Sequence, residues 1–309
     1  MQPAIDQGRP HYTTLCALFL NQRLDAADLA RRDEVMERYN SWRTSLQNLN
    51  IDNYSQCIRT SVALLNDYKN FIDIDFSADG ANNAWLYRNG GQTKHSSSIL
   101  EEFMIIMVNL LFSQLLGNWF LGPKKTVFNL DLRLVGDDHF EINSVEKDVD
   151  FAIYREFSLG DRTFAVSKLG LELKDNVDKT MLSGVSTDAN IYHTCFPNGF
   201  YGLVAGWRDL GPDSYQPLRH LDCFTILRKA KRISAPRTPT RLREFWNNNP
   251  YQADVFEHLF DHVRFSLEQG DTEYTNWIAN ISGRFETLSV ERTRVNTNHT
   301  TIDTNGWVH

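Results

Sequence analysis

The sequence predicts an α/β fold with a mixed central β-sheet that is flanked by helices and preceded by a helical subdomain. Three observations support this class. Two strand patterns separated by a turn lie between residues 150 and 174, a helix and an apolar strand follow to residue 207, and two helical patterns occupy residues 24–73. The turn implies an antiparallel hairpin and the order strand, helix, strand implies parallel pairing, so the sheet should be mixed.

The N-terminal part is expected to be helical. Residues 24–47 and 54–73 carry apolar side chains at helical spacing, and we assign residues 1–76 to a helical subdomain. Residues 77–97 are rich in Gly, Asn and Ser and are predicted to form a loop that leads into the main part of the fold.

A helix should begin near residues 96–98, whose serines can cap it. Glu101 and Glu102 lie close to its first turn, where the macrodipole favours acids, and this role would account for both. Glu102 also falls on the stripe of Phe103 and Ile106, so it is a candidate accessory metal ligand, with Glu101 as the substitute.

Residues 103–122 are long and apolar enough to cross a bilayer. Asn109, Gln114 and Asn118 interrupt the run, so a buried central helix is the preferred interpretation and no membrane association is expected. Residues 127–138 then alternate in the manner of a strand.

The predicted hairpin brings three charged side chains together. Glu172 and Lys174 are two residues apart on one strand and therefore share a face, and the hairpin would place Asp150 next to Glu172. Two adjacent carboxylates repel each other unless a cation lies between them, which points to a Mg²⁺ site. An ordinary surface ion pair is the alternative, because E-x-K triplets are common. The strands are expected at 150–157 and 163–174, with the turn SLGD at 158–161.

The arrangement of Asp150 followed by Glu172, Leu173 and Lys174 resembles the PD-(D/E)XK signature of the restriction-endonuclease-like nucleases. Further stretches resemble the flanking elements of type II restriction endonucleases of the BbvCI and DdeI type; they are 95–112, 178–184, 200–207 and 221–232. The likeness covers roughly residues 95–265. No proline precedes Asp150, and Asp148 lies two residues earlier on the same strand face, so the choice of ligand between these two acids stays open.

This resemblance implies a restriction-endonuclease-like core, which we assign to residues 77–283. It implies a Mg²⁺-dependent, sequence-specific endonuclease of double-stranded DNA, in which Asp150 and Glu172 hold the metal and Lys174 acts on the attacking water. Cutting both strands implies a homodimer or a heterodimer with a related subunit. One alternative is a catalytically silent DNA-binding subunit with the same fold, and another is an interaction protein with an accidental E-x-K.

The charge distribution indicates where DNA would be held. The net charge of −7 argues against a protein that coats nucleic acid, but residues 219–243 contain eight Lys or Arg and one Asp, a local charge of +7. A solvated surface is the alternative for this run. Pro236 and Pro239 should keep residues 234–241 out of regular helix. The candidate DNA contacts are Arg228, Lys229, Lys231, Arg232, Arg237, Arg241 and Arg243.

Downstream of the hairpin we predict a helix, a buried strand, an edge element and a further helix; they are 176–192, 200–207, 221–231 and 250–269. In the last helix His258 and His262 have a spacing that can bind zinc, although two ordinary histidines are the commoner outcome. Residues 284–309 are expected to form a polar C-terminal tail. The four cysteines form no paired motif and the N-terminus lacks a signal-peptide pattern, which indicates a reducing, cytoplasmic and, by resemblance, prokaryotic setting.

Overall fold

The computed structural model describes residues 8–20, 26–76, 94–135, 139–210, 218, 220–231 and 238–304. Their centre is a mixed five-stranded sheet with neighbouring strands in the order β1-β2-β3-β4-β5. The strands are β1 (Phe120–Val135), β2 (His139–Leu159), β3 (Arg162–Val177), β4 (Phe200–Arg208) and β5 (Cys223–Ile226). The first three strands pair antiparallel and the last three pair parallel, so the predicted mixed α/β fold is confirmed.

Helices precede, interrupt and follow the strands along the chain. Those within the described residues are α1 (Pro10–Leu20), α2 (Ala26–Gln47), α3 (Tyr54–Asn70), α4 (Lys94–Leu116), α5 (Lys179–Cys195), α6 (Pro239–Asn248), α7 (Ala253–Glu268) and α8 (Thr272–Thr304). A π-helical turn, Phe71–Phe76, continues α3. The two predicted N-terminal helices correspond to α2 and α3, whereas α1 was not predicted, and most of the predicted loop at 77–97 lies outside the described residues.

The hairpin of β2 and β3 is confirmed, with strands that extend beyond the predicted ones. Gly160 has φ of +60°, a left-handed conformation that glycine adopts without strain, and it forms the turn with Asp161. The antiparallel register runs from Leu159 opposite Arg162 to Phe151 opposite Leu171. This local register fixes which side chains meet at the far end of the hairpin.

The connection from β3 to β4 runs through α5, as predicted. Asp178 caps α5 by accepting a 2.8 Å hydrogen bond from the backbone N–H of Met181. β4 then pairs parallel with β3, and β5 adds a parallel edge strand beyond it. Residues 201–207 of β4 are all buried, which matches the continuous apolar sequence of a central strand.

The long apolar segment forms the buried helix α4. Its residues Ser97–Leu116 are long and apolar enough to cross a membrane, but 61% of that window is buried inside the protein. α4 packs against α1, α2, α3, α7 and the first three strands. One hydrophobic cluster extends from Leu15 in α1 to Ile281 in α8, so the N-terminal helices and the sheet share a core.

One C-terminal prediction differs from the structure. Residues 239–241, expected to be non-helical, open α6, because Pro239 stands at the start of the helix, where its missing N–H costs no intrahelical hydrogen bond. The polar stretch from residue 284 continues α8 as far as Thr304.

Candidate functional site

The end of the hairpin brings Asp150 beside Glu172. Phe151 lies opposite Leu171 in the antiparallel register, so the next position outward on each strand holds a carboxylate. Asp150 Oδ2 accepts a 2.9 Å hydrogen bond from the backbone N–H of Leu173, which ties the acid to the neighbouring strand. Strand pairing alone therefore places the two acids together.

Lys174 lies between these two acids. Its Nζ is 2.7 Å from Asp150 Oδ2 and 2.7 Å from Glu172 Oε2. We call Asp150, Glu172 and Lys174 the open triad, because the side chains of Lys174 and Asp150 keep 31% and 27% of their surface exposed. The structure thus joins the three residues that the sequence pattern singled out.

The charges in the open triad shift the pKa values of its members. Burial raises the pKa of Glu172 and the charge of Asp150 raises it further, against the opposing effects of Lys174 and Tyr201. Burial alone would lower the pKa of Lys174, but the two carboxylates reverse this and raise it. Lys174 is therefore an ammonium ion at neutral pH and acts as a cation and hydrogen-bond donor.

The structure also places Asp148. This residue is exposed and lies opposite Lys125 of β1, whereas Asp150 faces β3 and contacts Lys174. Of the two acids that the sequence left open, Asp150 is the one that belongs to the open triad.

Sequence reasoning missed Tyr201 of β4. Its hydroxyl donates a 2.9 Å hydrogen bond to Glu172 Oε1, and the residue is fully buried. Burial and the charge of Glu172 raise the pKa of Tyr201, so the hydroxyl stays protonated. One signal was present: Gly170 stands on the face of Glu172, and a glycine inside a strand often marks the close approach of another group.

The open triad suits a divalent cation such as Mg²⁺. Its two acids supply hard oxygen ligands, and its net charge of −1 leaves room for a further positive charge. Both hydrogen bonds to Asp150 end on Oδ2, and Oδ1 accepts neither of them. Across the described residues, no three His, Cys, Asp or Glu side chains form a group that could hold a metal ion. Two carboxylates would therefore supply the protein ligands, and water and phosphate oxygens would fill the remaining coordination positions, as is usual for Mg²⁺.

Glu102, the proposed accessory ligand, lies in a different environment. Its side chain is fully buried and pairs with Arg43. Glu102 Oε1 also accepts a hydrogen bond from Tyr39, and Oε2 accepts bonds from the backbone N–H groups of His11 and Tyr12 at 3.1 and 3.3 Å. This carboxylate anchors α1 and α2 to α4, so we remove it from the metal set; it does face the core, as its position on the apolar stripe indicated.

Arg228 does not lie on the surface as expected of a DNA contact. It is 1% exposed, and its guanidinium carbon lies 4.0 to 5.2 Å from the ring centroids of Trp207, Trp246 and Tyr251. One guanidinium nitrogen donates a 2.8 Å hydrogen bond to the carbonyl of Asn249. The arginine holds α6 against the end of the sheet through cation–π contacts, and we remove it from the predicted DNA contacts.

The other members of the basic run differ in placement. Lys229 is exposed and pairs with Asp254 at 3.2 Å. Lys231, Arg241 and Arg243 are also exposed, the last two on α6. Arg232 and Arg237 lie outside the described residues.

The histidine pair that could bind zinc has no third metal ligand beside it among the described residues. His258 and His262 are exposed on α7, and His262 packs against Phe200 with ring centroids 5.6 Å apart. Neither belongs to a cluster that could hold a metal ion in that part of the chain.

A second cluster of one lysine and two acids includes Asp175, the residue that follows Lys174 on β3. Lys69 Nζ is 2.8 Å from Asp73 Oδ2 and 3.0 Å from Asp175 Oδ1. We call Lys69, Asp73 and Asp175 the buried triad, because Lys69 is only 2% exposed. It joins the end of α3 to the end of β3.

Comparisons with known proteins identify the family and the fold. Residues 92–282 match the family model described as Bpu10I restriction endonuclease. Among solved structures, a chain of the native BbvCI A2B2 tetramer, determined at low resolution, superposes with a TM-score of 0.58 and 18% sequence identity, covering 88% of this chain and 95% of that chain. At this identity the likeness shows the fold alone. The comparison with curated proteins gave no match.

Proposed function

Because this chain belongs to the Bpu10I restriction endonuclease family, we propose that it is a Mg²⁺-dependent, sequence-specific endonuclease of double-stranded DNA, or one subunit of such an enzyme. The single observation that carries this proposal is the open triad, in which two carboxylates and an ammonium ion meet at a partly exposed end of the sheet. The fold shared with a BbvCI chain supports the same class of enzyme.

In this proposal Asp150 and Glu172 hold Mg²⁺. The bound ion would polarise the scissile phosphate and lower the pKa of a water molecule. The two acids face one space because the hairpin register fixes their strands, so the ligands are pre-positioned before DNA arrives.

Lys174 supplies the third part of the chemistry. Its raised pKa keeps it charged, so it orients a water through its N–H groups and offsets the negative charge that grows on the phosphate. A metal ion held by Asp150 and Glu172 would compete with Lys174 for their oxygens, and an N–H group released in this way would be available to a water or to the phosphate.

The exposed members of the basic run supply the proposed DNA contacts. Lys229, Lys231, Arg241 and Arg243 offer positive charge that phosphates can pair with. Removing one phosphate contact should weaken binding to all sequences alike and reduce the salt dependence by about one counterion. Cleavage of both strands requires a second site, so we propose a homodimer or a pairing with a related subunit; the BbvCI structure contains two kinds of chain.

Plasmid cleavage tests the proposal. Purified protein, alone and after mixing with its related subunit where one is encoded, is incubated with plasmid DNA in Mg²⁺ or in EDTA. We expect cleavage at defined sites only with Mg²⁺, and its loss in Asp150→Asn. Asp148→Asn is the matched control, because Asp148 is exposed on the same strand but outside the open triad.

Two outcomes would contradict the proposal. Equal cleavage by Asp150→Asn and the parent would show that the open triad is not the site. Duplex binding that is unaffected by divalent ions, together with no cleavage in any subunit mixture, would instead support the silent DNA-binding subunit.

A further inference from the structure

We infer that Tyr201 is a positioning residue, which orients the Glu172 carboxylate so that it can bind the metal. This inference rests on the proposed function. It is carried by a hydrogen bond and a close approach that involve β3 and β4 but no residue of the E-x-K signature other than Glu172 itself.

The parallel register brings Tyr201 to Glu172. Tyr201 lies opposite Gly170, two residues before Glu172 on the same face of β3. Its ring crosses the strand over the glycine, and a Cβ atom added at Gly170 would come within 2.8 and 2.9 Å of the ring atoms Cδ2 and Cε2. A larger residue at position 170 would therefore displace the ring, whose hydroxyl lies 2.9 Å from Glu172 Oε1.

The hydroxyl and Lys174 divide the two oxygens of Glu172 between them. Tyr201 donates to Oε1, and Lys174 pairs with Oε2 at 2.7 Å. A carboxylate with only 10% of its side chain exposed loses most of its water, and each protein donor offsets part of that cost. If Lys174 gave up Oε2 to contact the substrate, Tyr201 would be the donor that still holds the Glu172 carboxylate in place.

Packing fixes the position of the tyrosine ring. Tyr201 is fully buried, and its ring centroid lies 5.4 Å from that of Phe128 and 5.3 Å from that of Tyr192. Tyr192 is also fully buried, but its hydroxyl donates at 2.8 Å to the carbonyl of Ser167 and does not contact the open triad. The two tyrosines thus form a matched pair in one aromatic cluster with different hydrogen-bond partners.

Titration of the apo protein with Mn²⁺ alone tests the inference, with binding followed by calorimetry or by the loss of the free Mn²⁺ resonance signal. Tyr201→Phe keeps the ring and removes only the hydroxyl. We expect a loss of about 10-fold in Mn²⁺ affinity, the lower end of the range for residues that orient metal ligands. Tyr192→Phe should change this affinity by less than about 2-fold, because the hydroxyl of Tyr192 bonds to the Ser167 carbonyl and to Tyr274 and not to the open triad.

A second pair of variants addresses the close approach. Gly170→Ala should displace the Tyr201 ring and weaken Mn²⁺ binding. Gly184→Ala is its control, because an added Cβ there meets no atom within 4 Å. In cleavage assays Tyr201→Phe should need a higher Mg²⁺ concentration for half-maximal rate, and saturating Mg²⁺ should restore most of the rate.

The outcomes separate the inference from the function on which it rests. Parent protein that binds Mn²⁺ and a folded Tyr201→Phe that binds it equally well would overturn the inference alone. Equal losses in Tyr201→Phe and Tyr192→Phe would overturn it too, because they would indicate a general packing effect. Parent protein that binds no Mn²⁺ would overturn the proposed function together with the inference.

Discussion

The open triad and the buried triad have the same composition of charges and adjoin each other along β3, yet they differ in access to solvent. Each holds a lysine ammonium between two carboxylates at 2.7 to 3.0 Å. The lysine side chain is 31% exposed in the open triad and 2% exposed in the buried triad. The residue types therefore do not distinguish a candidate metal site from a structural ion cluster, and solvent access does.

The difference has a physical cause. In the open triad water or a phosphate can replace a carboxylate as the partner of Lys174, so releasing one contact costs little. In the buried triad a released Lys69 would be left charged without water, which is far more costly. Burial alone would lower the pKa of Lys69, yet Asp175 and Asp73 raise it, so this lysine stays charged inside the protein.

The largest effect that separates the two clusters is expected on cleavage. Lys174→Met should lower the cleavage rate by about 10²-fold to 10⁴-fold, the usual contribution of a group that assists proton transfer or charge balance in the transition state. Its effect on the free energy of unfolding should stay at about 1 kcal/mol, because the Lys174–Asp150 pair is partly exposed. Single-turnover cleavage and urea unfolding measure the two quantities. A stability loss as large as that of a buried pair would remove the distinction.

The next effect is expected on stability. Lys69→Met removes the buried cation that contacts Asp73 and Asp175, and we expect a loss of about 3–5 kcal/mol in the free energy of unfolding. Urea unfolding at neutral pH measures it. Cleavage assayed well below the unfolding midpoint should be retained, and a folded Lys69→Met without cleavage would show that the two triads act as one site.

Metal binding should stabilise the protein through one triad only. At a free Mg²⁺ concentration 100 times the dissociation constant, the stabilisation should be about 2.7 kcal/mol. Thermal unfolding with and without Mg²⁺ measures this increment. Glu172→Gln should abolish it, and Asp175→Asn should lower the melting temperature but keep the increment. Loss of the increment in Asp175→Asn alone would place the metal in the buried triad.

The smallest effect is a pH dependence of metal affinity. The raised pKa of Glu172 means that this acid must lose a proton before it binds metal, so affinity should fall as the pH decreases through that pKa, at about tenfold per unit below it. In metal-free protein the stability has the opposite pH dependence. The contribution of Glu172 to the free energy of unfolding is present at low pH and is lost as the pH rises through the raised pKa. Mn²⁺ titrations across mildly acidic to neutral pH check this, and a flat profile would contradict it.

The sequence was sufficient for the local part of the site. Asp150, Glu172 and Lys174 belong to one hairpin, and a short turn with the two-residue period of a strand determines which side chains meet. Whether they bind metal stays a prediction. Tyr201 and Lys69 were out of reach, because they meet β3 through a parallel crossover and a distant helix, and no local pattern sets that register.

Burial was the other limit. The periodicity of α4 placed Glu102 on the inward face, but the pattern does not predict that Arg43 and Tyr39 bind its carboxylate there. Arg228 belongs to a residue type that is mostly exposed, and its enclosure depends on three aromatic residues from separate elements. The sequence gives the charge of each segment, but it does not show which of the charged side chains are buried.

Helix α4 also bears on how the chain is synthesised. Its apolar surface is covered partly by helices made before it and partly by β3 and α7, which are made long after it. Until those later elements have been translated, the nascent polypeptide exposes the part of the apolar surface of α4 that they cover, in a helix long enough to span a membrane. Truncated products that stop before β3 should therefore aggregate or bind chaperones, and a complete chain should not.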